Sequence, residues 1–273
     1  RMYGPLAGLA AVLAAVLPRR IVGWLPAASG AVRGPKLVGV ALPAVLLMFA
    51  CASAWRSFEY RDEEVLWRAE LAQRPDSARA LWGIGTVRLR RGDAPGALDF
   101  LRRAHEGMPT HPDMLRNYTE CLVVLPDSEA DPDTALVVAA RLLSTNPNDA
   151  WTRTLLVRAH LQAGRLGRGV EHFDVAERIA LSCLDVATPK GLVYQLAAAA
   201  RRGRGDLDGA LAHIETGLAR KLAPVPLGVD RVGLLRDLGR TDEAWHALLR
   251  LQSNHPFDPQ VFAAMQAFGA PPR

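Results

Sequence analysis

The hydrophobic pattern of the chain changes character near residue 60. Residues 3–17, YGPLAGLAAVLAAVL, contain no charge, and neither do residues 37–55, LVGVALPAVLLMFACASAW. The second run is close to the ~20 residues that cross a bilayer as a helix. Both runs are rich in Ala and Gly, which suits close packing of membrane helices. They predict two transmembrane helices, the end of a larger bundle. Between them, residues 18–36 carry Arg19, Arg20, Arg33 and Lys36 and no acid. The positive-inside rule puts this loop in the cytoplasm and everything after Trp55 outside it.

Arg61, Asp62, Glu63 and Glu64 then stop the apolar run, because charges are expensive in hydrocarbon. Glu64 and Arg68 stand four apart in the order that supports a helix. Leu66, Trp67 and Leu71 give that helix an apolar side, and Pro75 punctuates its end. Residues 58–77 therefore read as an amphipathic connector between a membrane hairpin, residues 1–57, and the remainder, residues 78–273.

From Ala78 onward small and apolar residues recur with a period of about 34, the spacing of tetratricopeptide helix pairs. The clearest unit is Ala78–His111. Gly85 is the small residue of its first helix, Gly92-Asp93 its turn, Ala97 the small residue of its second helix, and Pro109 its end. A second unit is marked by Ala135, Ala139 and Pro147, with Pro126 to Pro132 as a lengthened turn. Gly164-Arg165, Gly169, Phe173 and Ala176 mark a third, and Gly205-Asp206, Ala210, Ile214 and Gly217 a fourth. Gly239-Arg240, Ala244, Leu248 and Pro256 mark a fifth, and Gln260–Phe268 reads as a capping helix. The expected fold is all-α: two transmembrane helices, then an α-solenoid of about five tetratricopeptide-like pairs.

Two segments carry a family resemblance. Tyr60-Arg61-Asp62-Glu63-Glu64-Val65-Leu66-Trp67-Arg68, followed by Arg74-Pro75-Asp76 and Ala78-Arg79-Ala80, resembles the junction between membrane helix and repeats in transmembrane-and-tetratricopeptide protein O-mannosyltransferases. Tyr60 stands where that family usually has Trp. Met2-Tyr3-Gly4-Pro5-Leu6-Ala7-Gly8-Leu9 is similar to a second segment of the same proteins, without its Ser. The resemblance implies a polytopic glycosyltransferase using a lipid-linked sugar. Its catalytic carboxylate would lie in an early extracytoplasmic loop upstream of Arg1, and its repeats would face the lumen or periplasm. The chain starts at Arg1, not Met, and we expect a fragment or a processed product.

Charge narrows the partners. Residues 1–61 hold seven basic residues against one acid, Glu59. Of the chain's 33 basic and 28 acidic residues, that leaves 26 and 27 for residues 62–273, a nearly neutral balance. A nucleic-acid partner, which needs a basic face, is not expected. Arg201-Arg202-Gly203-Arg204 is a local basic cluster at a repeat turn and reads as a solvated helix end. Arg91-Gly92-Asp93 and Arg204-Gly205-Asp206 spell an adhesion tripeptide, but Gly then Asp is what a turn requires. Asn117-Tyr118-Thr119 is a formal glycosylation sequon inside a predicted helix, in a composition that suggests a bacterial source.

No catalytic signature is present: no G-x-S-x-G, no Walker loop and no H-E-x-x-H. The seven histidines have no ligand spacing, so no metal and no cofactor is expected. Three scattered cysteines make no disulfide framework; Cys121 and Cys183 read as small buried hydrophobes. The functional candidate is the concave face lined by the first helix of each pair. Its predicted residues are Arg79, Trp82, Arg90, Arg116, Trp151, Arg158, Gln195, Arg202 and Arg236, types that binding hot spots favour. Two readings stand. In one, the repeats of a membrane glycosyltransferase bind a protein or glycan acceptor outside the cytoplasm. In the other, they form a non-catalytic, membrane-anchored scaffold for an envelope complex.

Overall fold

Proline, glycine and aspartate set the helix boundaries. In the computed structural model, residues 63–185 and 189–269 are described, and they contain twelve α-helices and one short 3-10 turn. The helices are α1 (Glu63–Gln73), α2 (Ala78–Arg90), α3 (Ala94–Gly107), α4 (Pro112–Val124), α5 (Pro132–Thr145) and α6 (Ala150–Arg165). They continue with α7 (Glu171–Ser182), α8 (Lys190–Gly203), α9 (Leu207–Ala219), α10 (Pro224–Asp237), α11 (Thr241–Asn254) and α12 (Pro259–Phe268). The chain divides into two compact units, Arg1–Pro75 and Asp76–Arg273. Both uncharged runs of the expected membrane hairpin lie outside the described residues. Among the described residues no helix is long and apolar enough to cross a membrane.

In the first unit, α1 carries the expected Glu64–Arg68 pair at 2.8 Å. Its apolar side is only partly covered: Trp67 and Leu71 are half-buried, and Leu66 is exposed.

The second unit, α2 to α12, is the solenoid. Consecutive helices pack as antiparallel neighbours, and the first helices of successive pairs also touch one another. Six of the unit's eleven described helix starts are capped by Ser or Asp side chains, which satisfy backbone N–H groups that a helix leaves orphaned. Asp93 accepts from Gly96 N at 2.9 Å, Asp149 from Thr152 N at 2.9 Å and Asp206 from Gly209 N at 2.9 Å. Gly92, Gly205 and Gly239, with φ of 79°, 85° and 75°, make the tight turn within three pairs. Both adhesion-like tripeptides are thus turn plus cap.

The third pair departs from the sequence expectation. Gly164 does not turn the chain; it stays inside α6, and Gly167 at φ 75° makes the turn. Gly164 is small for a different reason. A Cβ there would lie 2.6 Å from the Phe173 ring, so the glycine admits that ring against α6. Gly85 does the same in the first pair, where a Cβ would come within 2.6 Å of Leu101. Ala97, Ala135, Ala176, Ala210 and Ala244, one in each second helix, are fully buried at the crossings.

The lengthened loop between α4 and α5 has its own consequence. Within α4 the carbonyl of Leu122 would accept from the N–H of residue 126, but that residue is Pro126 and has none. Gln162 of the next pair, 1% exposed, supplies the missing donor: its Nε2 reaches the Leu122 carbonyl at 3.0 Å. Asn117, the sequon residue, ties α4 to the preceding pair by donating to Thr86 Oγ1 at 2.8 Å. Cys121 and Cys183 are both buried and unbridged, and burial pushes the Cys121 thiol up to about 12.

Gln162→Glu tests the tie to Leu122. At pH 8 the variant should be destabilised by about 3 kcal/mol, because it loses the donor and buries a carboxylate. That carboxyl has a folded pKa raised above its unfolded value, so the stability difference from wild type should shrink as pH falls towards 5. Chemical denaturation of both proteins at the two pH values measures it; a pH-independent difference would dissociate Gln162 from this role.

Candidate partner-binding groove

The first helices of the pairs, α2, α4, α6, α8 and α10, supply the nine residues predicted for the groove, and the structure distributes them unevenly. Arg79 and Arg90, at the two ends of α2, are exposed. Trp82 is half-buried and packs its indole on His111 with ring centroids 5.2 Å apart. His111 is itself the cap of α4, accepting from Met114 N, so Trp82 buttresses the entry to the next pair. Arg116 lies 3.8 Å from Asp149, the cap of α6. Trp151 is exposed at the start of α6. Arg236 lies over the Phe268 ring of α12, 5.1 Å from its centroid.

The remaining three come together. Arg158 of α6 with Gln195 and Arg202 of α8 line one hollow of about 650 Å³. Its wall is apolar, from Leu161, Phe173, Leu192, Leu196, Ile214 and Leu234, and Arg165 and Asp230 complete the polar rim. Helical spacing could have found much of this. Arg158, Leu161 and Arg165 form one stripe of α6, and Leu192, Gln195 and Arg202 one stripe of α8. Phe173 carries no such signal, since it belongs to a second helix. It reaches the hollow through the gap left by glycines: Gly164 on one side, and on the other Gly203, where a Cβ would also collide with the ring.

The electrostatics of the hollow are asymmetric. Arg202 pairs with Asp237 at 2.5 Å, and Arg165 makes only a 3.4 Å contact with exposed Asp127. Arg158, half-buried, has no ion-pair or hydrogen-bond partner among the described residues. Asp230 accepts from Gln195 Nε2 at 2.6 Å. Burial raises the Asp230 carboxyl above the usual range, opposed by the Gln195 hydrogen bond and by Arg202. The rim is therefore cationic on balance, with one guanidinium uncommitted.

The basic cluster beside this hollow is internally answered. Arg201 binds Glu177 and Asp206, each at 2.7 Å, and Arg204 binds Asp174. Glu177, only 9% exposed, also meets His213 at 2.8 Å, so one carboxylate joins α7, α8 and α9.

Outside the lining of the hollow, α6 and α7 share a histidine pair. His160 Nδ1 and His172 Nδ1 are 2.9 Å apart, so one ring must donate and the other accept, which requires that at least one be neutral. Burial, with the neighbouring charge of His172, pushes His160 down to about 4. No cluster of three or more metal-ligating side chains occurs among the described residues.

Comparison with known proteins matches this architecture. A tetratricopeptide-repeat family profile fits residues 64–112, which include α1 as well as the first pair. The described helices resemble TTC0263, a thermophilic tetratricopeptide protein of Thermus thermophilus, at 18% identity and a TM-score of 0.56 over 70% of this chain and 98% of that one. They also resemble PilW, described as a widely conserved type IV pilus biogenesis factor, at 15% identity and a TM-score of 0.55 over 78% of this chain and 93% of that one. No curated protein sequence matches. The chain thus carries tetratricopeptide-repeat sequence, and its described fold is a tetratricopeptide-like solenoid. These matches concern the repeats and give no support to the glycosyltransferase resemblance.

The histidine pair makes stability pH-dependent. With a folded pKa depressed to about 4 against an ordinary 6.5, the unfolded chain binds more protons between these values. Stability should therefore hold above pH ~6.5 and fall as pH drops towards 4, by up to about 3 kcal/mol in total. His105, lowered by burial and by Arg141, adds in the same direction. Urea unfolding between pH 7 and 5 should show a smaller loss for His160→Asn than for wild type; equal losses would remove His160 from the account.

Proposed function

We propose that the repeat unit is a protein-binding scaffold whose concave hollow takes an extended partner segment with an acidic side chain beside an apolar one. The carrying observation is the arrangement of Arg158, Arg165 and Arg202 around the apolar wall formed by Leu161, Phe173, Leu192 and Leu234. A cavity of that size accommodates two or three side chains. The apolar wall supplies burial, and the guanidiniums select the sign of charge. Carboxylate recognition suits arginine, whose planar fork can meet both oxygens. Among the described residues of the predicted groove, Arg158 is the uncommitted charge that stands beside an apolar hollow. Trp82, Arg116 and Arg236 already serve neighbouring helices in this arrangement.

In this reading the two uncharged runs, residues 3–17 and 37–55, tether the scaffold to a membrane, and the basic loop between them sets the repeats outside the cytoplasm. A second reading rests on the Tyr60–Arg68 junction and its resemblance to a glycosyltransferase family. There the same hollow would hold a protein or glycan acceptor for a membrane enzyme. The two readings share the groove and differ in what lies upstream of Arg1. Several further apolar spans with a carboxylate-bearing loop in the upstream reading frame would favour the enzyme.

Selection of displayed peptides on the full chain tests the groove. Enriched peptides should pair Asp or Glu with Leu, Ile or Phe, and should bind Arg158→Glu about tenfold more weakly. Arg158 serves the test because it supports no other described group, so the fold should survive, as a circular dichroism melt would verify. Enrichment without acidic residues, or equal binding to the variant, would overturn the proposal. Topology is checked separately: alkaline phosphatase fused after Arg273 should be active, and a cytoplasm-dependent fluorescent fusion at the same place should be dark.

A further inference from the structure

The described residues hold a second hollow, of about 320 Å³, that shares no residue with the first. It lies between α3, α4 and α5, lined mainly by second helices of the first two pairs. Pro95 and Leu98 of α3 and Leu122 of α4 give it an apolar wall. Asp99, Glu129 and Asp131 stand around it, against one cation, Arg102. That arginine is answered on its own helix, by Asp99 at 2.5 Å and Glu106 at 3.1 Å. Asp131 caps α5 through Thr134, yet a carboxylate has capacity for further donors. The carboxylate of Glu129, on the lengthened loop, has no partner among the described residues.

Carboxylates on a helical surface are ordinary solvated groups, and the acidic rim alone would mean little. The second observation is Tyr118. It is 4% exposed and lines the hollow, yet its hydroxyl makes no hydrogen bond to any described residue. Nor is that oxygen sealed inside the protein: it is absent from the fully buried, unpartnered polar atoms, which are Trp82 Nε1, His105 Nδ1, Arg116 Nε and Gln162 Oε1. The Tyr118 side chain is among those that line the hollow. Burial pushes the phenol pKa up, so the group is a neutral hydroxyl that can accept as well as donate. The side chain is largely buried and its hydroxyl has no partner among the described residues, so a ligand donor that reaches it finds a held acceptor.

We infer that this hollow is a second binding site, which takes an arginine side chain of a partner protein. The methylene stem lies along Pro95, Leu98 and Leu122, as long cationic side chains cover apolar surface while keeping the head polar. The guanidinium, with five N–H donors in a plane, donates to the Tyr118 hydroxyl and to the Glu129 and Asp131 carboxylates. An ammonium, as a compact point charge, has no such spread of donors. The net negative rim supplies the charge complementarity, and the phenol supplies the fixed acceptor. The site is independent of the concave hollow, whose rim has the opposite sign.

The chain has only four tyrosines, which makes the test direct. The full chain, labelled with 3-fluorotyrosine and held in mild detergent at pH 7, gives a fluorine spectrum in which Tyr118→Phe identifies one line. N-acetylarginine amide should move that line saturably and leave the Tyr194 line in place. N-acetylcitrulline amide, the neutral isostere, should not move it. Glu129→Gln should weaken the arginine effect about threefold to tenfold. A Tyr118 line that stays still, that responds equally to citrulline, or whose midpoint changes less than about twofold in Glu129→Gln, would overturn the inference.

Discussion

Each helix pair of the solenoid can bury its apolar face only on its neighbours, and the closeness of that contact depends on missing side-chain volume. Gly85 against Leu101, Gly164 against Phe173 and Gly217 against Leu227 are places where even a methyl group would collide. Buried alanines do the same at one position of every second helix. Close packing at these crossings gains dispersion and excludes water, and it leaves little room for adjustment. The candidate groove inherits its shape from this constraint. Phe173 reaches the hollow because glycines of α6 and α8 leave space on both sides of its ring. A binding wall here is a by-product of how two pairs are allowed to approach.

Charge is organised along the same seams. Arg201 and Glu177, Arg204 and Asp174, and Arg116 and Asp149 each join different helices. The exposed pairs among them contribute little to stability individually. They bear on recognition as well, because Arg201 and Arg204, with Arg202 held by Asp237, leave the basic cluster of the sequence answered within the fold. Of the arginines predicted for the groove, Arg79 and Arg158 have no partner among the described residues, and of these two Arg158 is the one that lines the hollow.

The repeats are legible in the sequence because their punctuation is chemical. Gly at positive φ, Asp as a cap and Pro at helix starts each answer a local requirement of the backbone, and local requirements survive in one dimension. Gly164 misleads because glycine answers two requirements, a turn and a close approach, and sequence does not say which. The helix at Glu63–Gln73 reads as a connector, whereas the family match begins on it; Pro75 precedes Pro109 by the repeat spacing, and that spacing is the signal that includes it. The groove is legible as stripes of first-helix residues, which find Arg158, Gln195 and Arg202. Phe173 and Asp230 are not, since their place depends on how three pairs meet. The partial withdrawal of Trp82 and Arg116 into neighbouring contacts likewise depends on tertiary packing.

The bond from Gln162 to the Leu122 carbonyl bears on how such a protein can change. Repeat arrays ordinarily gain and lose units by duplication and excision, since each unit needs only generic neighbours. Here the second pair contains a backbone acceptor that Pro126 leaves empty, and the third pair brings the donor. Neither can be excised or replaced by a consensus copy without exposing the deficiency of the other. The two pairs are thereby obligate partners inside an otherwise modular chain. The loop that carries Pro126 also carries Glu129, so the joint between the two pairs and the rim of the second hollow share one segment.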